Sequence, residues 1–186
     1  MRTTQVALAG LFAALTAVGA QVSIPIGPVP ITLQTFFILL SGMIGGAVIG
    51  FLSQLIYVLL GAIGLPVFAG FRGGVVAILG PTGGYIISFP LAALASGFFF
   101  HKIQGNIIVK GIVAVIAAEL IIYSIGVPRL AVWIALARQV SGVEALSLAM
   151  QLGMLPFLPG DAIKAAVAIY VATRRNIRTI IERIRV

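Results

Sequence analysis

The chain has 186 residues, of which 61% are hydrophobic and only 9% are charged, and its mean hydropathy is +1.20. A soluble domain carries about 25% charged residues, so this composition excludes a water-soluble enzyme and a disordered chain. The net charge is +8, and the lack of cysteine excludes disulfides and thiolate metal sites. With one histidine and four acidic residues, we expect no metal site, no cofactor and no catalytic acid–base set in this chain. The composition predicts an integral membrane protein.

Six apolar segments separated by glycine and proline predict membrane spans. A bilayer core of about 30 Å requires about 20 helical residues for each crossing. The predicted spans are residues 4–22, 32–42, 46–61, 83–100, 107–125 and 160–173. The second is short for a full crossing, whereas Pro90 lies inside the fourth and predicts a kink there. We therefore expect an all-α, six-helix transmembrane bundle that forms a single membrane domain over residues 1–186.

Two connections between the predicted spans have unusual composition. The glycine-rich connection from Gly64 to Thr82 exceeds the about 12–15 residues of an ordinary loop. We expect it to be an external cap over a ligand site, with a merely structural loop as the alternative. Gly126 and Pro128 predict the end of the fifth helix. The segment from Arg129 to Met154 then predicts short amphipathic helices at the interface before the last span.

The distribution of basic residues predicts the orientation of the chain. Cytoplasmic segments of membrane proteins carry an excess of Lys and Arg. The tail, residues 174–186, and the loop after the fourth span are basic, which predicts that both termini are cytoplasmic. The residues predicted to be inside are Arg2, Lys102, Lys110, Arg174, Arg175, Arg178, Arg183 and Arg185; those predicted outside are Arg72, Arg129 and Arg138. Beside a membrane, such a tail indicates anionic lipid as its partner rather than nucleic acid.

Asp161 and Lys164 are the sharpest candidates for binding a ligand. They lie at positions i and i+3 in the first turns of the last helix, so they share one face. A charged residue inside a span is costly and indicates function. The alternative is an aspartate that caps the helix and ties down the lysine.

Four further residues are candidate substrate contacts. Glu119 lies within the fifth span, where it either contacts substrate or forms an ion pair with Lys164 or Arg72. Gln34 offers either an amide to the ligand or a hydrogen bond between helices. Arg72 lies in the glycine-rich connection and could meet an anion, or it is solvated. Tyr85 is a ligand contact or a packing aromatic.

Small residues recur on the first helix at Ala9, Ala13 and Ala17, with Gly10 and Ala14 beside them. Such spacing lets two helices approach closely. The stripe therefore predicts either packing within this bundle or a docking face for a separate membrane protein.

Four motifs spread over the whole chain carry a family resemblance. They are PVPITLQTF at 28–36, LLGAIGLPVFAG at 59–70, GPTGGY at 80–85 and PFLPGDAIKA at 156–165. In these motifs and in length the chain resembles the biotin-specific substrate-binding subunits (S components) of energy-coupling factor transporters. The resemblance implies a multi-pass protein of a prokaryotic cell membrane that captures biotin from outside. It also implies a membrane-embedded coupling (T) subunit and two ATPase subunits as partners.

The resemblance assigns roles to some of the candidate residues. The family's ligand-binding Asp and Lys map onto Asp161 and Lys164, and the stripe at Ala9, Ala13 and Ala17 is similar to the family's docking motif. Glu119 has no counterpart that we can match. Biotin has a ureido ring whose N–H groups suit the Asp161 carboxylate and whose carbonyl suits Lys164, and a carboxylate that suits Arg72.

Other functions are weighed against biotin capture by such a subunit. A self-sufficient biotin carrier stays open, as does an S component for another small vitamin. An integral membrane enzyme is disfavoured because the predicted layout separates His101 from Asp161. Too few polar residues lie in the spans for an aqueous channel.

Overall fold

The computed structural model describes residues 3–174 and 177, which form helices and one short hairpin joined by loops. In chain order they are α1 Thr3–Gln21, β1 Ser23–Ile24, β2 Ile31–Thr32, α2 Gln34–Gly45, α3 Ala47–Ala62, α4 Val75–Leu79, α5 Gly83–Lys102, α6 Ile107–Arg138, α7 Gly142–Gly153 and α8 Leu158–Thr173. Predicted spans other than the fifth agree with these helices to within three residues at each end.

Several helices are long and apolar enough to cross a bilayer. Among the described residues these are α1, α5 and α6, and α7 with α8 passes the same test as a pair bent by 49°. The helices α2 and α3 have 12 and 16 residues, so each is shorter than the about 20 residues of a full span. Large apolar side chains point outward from the helices, for example Leu11, Ile116 and Leu120, which are all more than half exposed. The protein is therefore an all-helical, multi-pass membrane protein, while the count of six spans stays a prediction.

The helices α2 and α3 form a hairpin within the bundle. Gly46, between them, has φ 84°, a left-handed conformation that glycine adopts without steric cost. The helices then run antiparallel, because Gln34 at the start of α2 hydrogen-bonds Tyr57 near the end of α3. Both helices pack against α5.

The three helices α5, α6 and α8 alternate in direction. The start of α5 meets the C-terminal part of α6, since a Cβ on Gly84 would contact Arg129. Asp161 in the first turn of α8 meets Tyr123, and Ile169 near its end packs on Gly111. The connections at 22–33, 63–82 and 154–157 consequently lie at one end of the bundle, which we call the cavity end.

The helix α6, which corresponds to the fifth predicted span, ends much later than the sequence predicts. Instead of stopping at residue 125, α6 continues through Gly126 and Pro128 to Arg138. Gly126 is required there for close packing, because a Cβ would lie 2.4 Å from the Tyr85 ring. Pro128 has no N–H to donate to the Ser124 carbonyl, and membrane helices tolerate such an interruption when surrounding groups satisfy the freed carbonyl. Of the short amphipathic helices predicted between 129 and 154, only α7 forms; the first part of that segment belongs to α6.

The glycine-rich connection between α3 and α5 is hydrogen-bonded to the helices around it. Gln21 at the end of α1 donates to Phe68 O and accepts from the Phe71 N–H at 2.9 Å. The Tyr57 hydroxyl donates to Val67 O, and Arg129 donates to Leu79 O at 2.6 Å. These contacts from three helices fix the connection and its short helix α4 over the cavity end.

Basic residues occur at both ends of the bundle. Lys102, Lys110 and Arg174 lie at the end opposite the cavity, where the α2–α3 turn also lies. Arg72, Arg129 and Arg138 lie toward the cavity end. The remaining residues predicted to be cytoplasmic, Arg2, Arg175, Arg178, Arg183 and Arg185, lie outside the described residues.

Candidate functional site

A cavity of about 650 Å³ opens at the cavity end. Its size falls within the about 300–1,000 Å³ of small-molecule sites. The apolar walls include Val29, Phe68, Ile86, Phe89, Ile122 and Phe157. The polar groups include Gln34, Thr35, Arg72, Tyr123, Asp161 and Lys164. An apolar chamber with a few convergent polar groups suits a compact ligand with both an apolar body and polar ends.

Asp161 supplies the buried carboxylate of this cavity. The residue is 5% exposed, and its backbone N–H donates a hydrogen bond to Phe157 O at 2.8 Å. Among the described residues, the donors to its side-chain oxygens are side chains and not backbone N–H groups of α8. Oδ1 accepts from Thr35 at 3.2 Å, and Oδ2 accepts from the Tyr123 hydroxyl. The carboxylate is therefore held by α2 and α6 facing the cavity, and the capping alternative does not apply.

Lys164 is the ion-pair partner of Asp161. Its ammonium Nζ lies 2.5 Å from Asp161 Oδ1 and donates to Thr32 O at 3.0 Å. The two side chains are only 11% and 7% exposed. Removing one member of a buried pair leaves an uncompensated charge, at a cost of about 3–5 kcal/mol. The predicted i, i+3 pair thus forms, with the β2 carbonyl as a third member.

Gln34 forms side-chain hydrogen bonds that connect three secondary-structure elements. Its amide donates to the Tyr57 hydroxyl at 2.6 Å, and its Oε1 accepts from Thr32 at 2.8 Å. The residue lines the cavity, but its side chain already bonds α3 and β2. Gln34 therefore holds the strand whose carbonyl accepts from Lys164.

Tyr85 and Arg72 differ in how freely they can meet a ligand. The Tyr85 hydroxyl donates to Gly153 O at 2.8 Å, so its ring lines the cavity while its polar end secures α7. Arg72 is exposed at the cavity mouth, and its guanidinium makes no hydrogen bond or ion pair with the described part of the chain. Arg72 is thus available to an anion, and Tyr85 offers an apolar surface.

Glu119 lies outside the cavity lining. Both of its carboxyl oxygens are buried and lack a hydrogen-bond partner among the described residues. The alternative ion pair with Lys164 or Arg72 does not form, because Lys164 turns toward Asp161 instead. Glu119 is accordingly close to the site without touching its open volume.

The small-residue stripe of α1 turns inward. Ala9 and Ala13 are 1% and 3% exposed, and Ala17 packs against the core. The helix α1 packs on α2 and α3. The stripe therefore serves packing within this chain in the observed arrangement, whereas its neighbours Gly10 and Ala14 are exposed.

Sequence reasoning missed Tyr123, Thr35 and the Thr32 carbonyl as members of the site. Tyr123 lies one helical turn from Glu119, so the inward face of α6 carries two polar side chains, which was an available signal. Thr35 lies 126 residues from Asp161 in the chain, and no local pattern connects them. Among the described residues no group of three His, Cys, Asp or Glu side chains could hold a metal ion.

Comparison with known proteins finds matches over almost the whole chain. The BioY family model matches residues 1–181. A probable biotin transporter BioY of Pyrococcus horikoshii is 48% identical over 174 residues, covering 94% of this chain and 97% of that protein. The biotin transporter BioY of Thermotoga maritima is 42% identical, covering 91% of this chain and 94% of that protein.

A solved structure has a similar fold. It is the crystal structure of the S-component for biotin from an ECF-type ABC transporter, with a TM-score of 0.78 and 28% identity. The match covers 96% of this chain and 95% of that one. These similar proteins are transporters, so the expectation of a transport protein rather than an enzyme is confirmed.

Proposed function

Because the chain belongs to the BioY family, we propose that it binds biotin in the cavity at Asp161 and Lys164, as the substrate-specific subunit of an ATP-driven transporter. The observation that carries this proposal is a buried acid–base pair facing an apolar cavity of about 650 Å³. Relatives with 48% and 42% identity are named as biotin transporters.

The chemistry of biotin matches the groups in the cavity. The ureido ring presents two N–H donors and one carbonyl acceptor, which complement the carboxylate of Asp161 and the ammonium of Lys164. Hydrogen bonds to charged groups are the stronger ones, at about 1.5–3 kcal/mol each. The thioether ring and the aliphatic chain of biotin would lie against Phe68, Phe89 and Phe157.

Arg72 is the candidate partner for the carboxylate of biotin. It lies at the mouth of the cavity, whereas Asp161 lies 5% exposed in its interior. A biotin molecule with its ureido ring at Asp161 would direct its aliphatic chain toward the mouth. The glycine-rich connection at 64–82 would then cover the ligand as a cap.

We place the cavity end outside the cell. The support is the positive-inside rule, since Lys102, Lys110 and Arg174 lie at the opposite end together with the predicted basic tail. Six crossings, with both termini in the cytoplasm, complete this proposed topology. The coupling subunit and the two ATPase subunits would contact the chain from the membrane and the cytoplasmic side.

A self-sufficient carrier is the second candidate function. The relatives from Pyrococcus horikoshii and Thermotoga maritima are named simply as biotin transporters, whereas the protein with the similar crystal structure is the S-component of an ECF-type ABC transporter. Uptake assays separate these candidates.

The test combines binding and uptake. The purified chain alone is titrated with radiolabelled biotin, with riboflavin and thiamine as competitors. We expect tight binding of biotin that neither competitor displaces; displacement by either one would assign a different vitamin. Uptake is then measured in cells with and without coupling subunits. Uptake that requires them supports the ATP-driven subunit, and equal uptake in both supports the self-sufficient carrier.

A further inference from the structure

Glu119 is an acidic side chain that the site geometry does not yet use. Its two carboxyl oxygens are buried and have no hydrogen-bond partner among residues 3–174 and 177. Burying a carboxylate without a partner is expensive, and acidic residues inside membrane spans are rare and mark function. The charged groups that act electrostatically on Glu119 are those of Asp161 and Lys164.

The packing of α6 against α8 places Glu119 at the same depth as Lys164. The two helices run antiparallel: Tyr123 meets Asp161, and Gly111 meets Ile169 further from the cavity. Glu119 is one turn from Tyr123 along α6, and Lys164 is one turn from Asp161 along α8. Both residues therefore lie one turn deeper than the Tyr123–Asp161 contact.

The carboxylate of Asp161 is already occupied before any ligand arrives. Lys164 and Thr35 donate to Oδ1, and Tyr123 donates to Oδ2. A carboxylate has room for about four donors. Both acceptor sites of Oδ1 are therefore taken, and a ligand N–H that bonds to this oxygen has to displace Lys164 or Thr35.

Among the three donors, Lys164 can move away from Asp161 and still have a carboxyl group as its partner. An ammonium that moved away from Asp161 into an apolar surrounding would lose its ion pair. The Lys164 side chain is long and flexible, and the Glu119 carboxyl is an unpartnered acceptor at its own depth. The hydroxyls of Thr35 and Tyr123 are neutral, so each gains less from a carboxyl partner than the Lys164 ammonium does.

We propose that Lys164 has a second position, with its ammonium beside Glu119, which it takes when ligand N–H groups occupy Asp161. This inference rests on the proposed binding of biotin at Asp161. In the second position the ammonium leaves the Thr32 carbonyl and pairs with Glu119. It retains a further N–H donor for the ligand's carbonyl oxygen, since an ammonium has three. Glu119 is thus a positioning residue that acts through Lys164 rather than touching the ligand.

The first experiment measures biotin affinity and ligand-free thermal stability for Glu119→Gln. Glutamine keeps the shape and an acceptor oxygen but removes the charge. We expect affinity to fall about five- to tenfold, since a charge-assisted hydrogen bond becomes a neutral one. The ligand-free melting temperature should stay equal or rise, because an unpartnered buried carboxyl is removed. Ser124→Ala is the matched control on α6: its hydroxyl is exposed and bonds only Ile121 O, so affinity should not change.

The second experiment is a structure of the wild-type protein with biotin bound. Lys164 Nζ within ion-pair distance of a Glu119 oxygen supports the proposal, whereas an ammonium still on Asp161 Oδ1 and Thr32 O overturns it. Affinity of Glu119→Gln within twofold of wild type, or a variant that fails to fold, also overturns it. If the wild type itself does not bind biotin, the proposed function fails, which is a distinguishable result.

Discussion

At the scale of single residues, the Asp161 carboxylate is positioned before the ligand arrives. Three side chains from three different elements, Thr35, Tyr123 and Lys164, contact its two oxygens. These contacts fix the rotamer of a side chain that is otherwise surrounded by apolar walls. Preorganisation of this kind lowers the entropy cost of binding and favours high affinity for a small ligand.

Arg72 offers a test of ligand orientation. Because the side chain is exposed, an ion pair with the biotin carboxylate is worth only about 0.2–1 kcal/mol. We expect Arg72→Gln to weaken biotin binding by up to about fivefold. Calorimetric titration with biotin and with the neutral biotin amide measures the effect.

The amide is the control for this prediction. Wild-type protein should bind biotin amide more weakly than biotin, and Arg72→Gln should bind both equally. If Arg72→Gln weakened both ligands by the same factor, Arg72 would act on the shape of the cavity mouth and not on the carboxylate.

Site residues that are close together along the chain could be predicted from the sequence, whereas those far apart could not. Asp161 and Lys164 could be predicted because they share one helix face three residues apart and charges are rare in membrane spans. Tyr123 and Thr35 could not, because their contacts with Asp161 depend on how α2, α6 and α8 pack. For Gln34 and Tyr85, the sequence could not decide between a ligand contact and a structural hydrogen bond.

At the scale of elements, α1 has two faces lined by small residues. The inward face carries Ala9 and Ala13, which are buried against α2 and α3. The outward face carries Gly10 and Ala14, and a Cβ on Gly10 would contact nothing within 4 Å. If a separate membrane subunit docks on α1, it meets the outward face.

Tryptophan substitutions separate the two faces. We expect Ala13→Trp to destabilise the protein, since overpacking a core typically costs about 1–3 kcal/mol or more. Its melting temperature and its biotin binding should fall together. Ala14→Trp should fold normally and bind biotin with unchanged affinity, but lose uptake that depends on coupling subunits.

Three measurements on each variant decide this prediction: melting temperature, affinity and uptake. An Ala13→Trp protein that binds biotin normally and loses only uptake would show that α1 turns its alanine stripe toward a partner. Normal uptake by Ala14→Trp would place docking on another helix.

The helix α6 shows where local sequence signals fail. Gly126 and Pro128 are helix-ending residues in soluble proteins, yet α6 passes through both. The reason lies outside the helix, because Tyr85 of α5 fills the space that a side chain at position 126 would need. The ends of the other predicted spans could be predicted because the glycine and proline residues near them lie in turns, as Gly46 does between α2 and α3.

At the scale of the whole molecule, the arrangement of the chain predicts opposite accessibility of its two ends. Val76 on α4 is 82% exposed and lines the cavity. Gln104 is exposed in the turn between α5 and α6, at the other end. Cysteine can be introduced at either position without background, since the chain has none.

We expect Val76→Cys to be labelled by a membrane-impermeant thiol reagent added outside intact cells, and biotin to slow that labelling. Gln104→Cys should react only after the membrane is opened. The reverse pattern would place the cavity in the cytoplasm, and labelling of Val76→Cys that biotin leaves unchanged would argue against a cap.

The broad architecture followed from composition, because a chain with 9% charged residues can only bury its apolar surface in lipid and helix contacts. Whether each short helix crosses the bilayer does not follow from length. The 12-residue α2 and its partner α3 form a tight hairpin, and their depth in the membrane depends on the helices around them.

The most direct test of biotin binding at Asp161 is calorimetric titration of biotin into the purified wild-type chain and into Asp161→Asn. Asparagine keeps the size of the side chain but removes its charge and replaces one acceptor oxygen by a donor. The Asp161→Asn/Lys164→Met double variant controls for stability, because it leaves no unpaired charge in the pair; it should melt above Asp161→Asn alone.

We predict that wild type binds biotin tightly and that folded Asp161→Asn binds it about ten- to hundredfold more weakly. This range corresponds to the loss of one hydrogen bond to a charged group, about 1.5–3 kcal/mol. Binding by folded Asp161→Asn within twofold of wild type would contradict the proposed site, because the carboxylate would then have no part in holding the ligand.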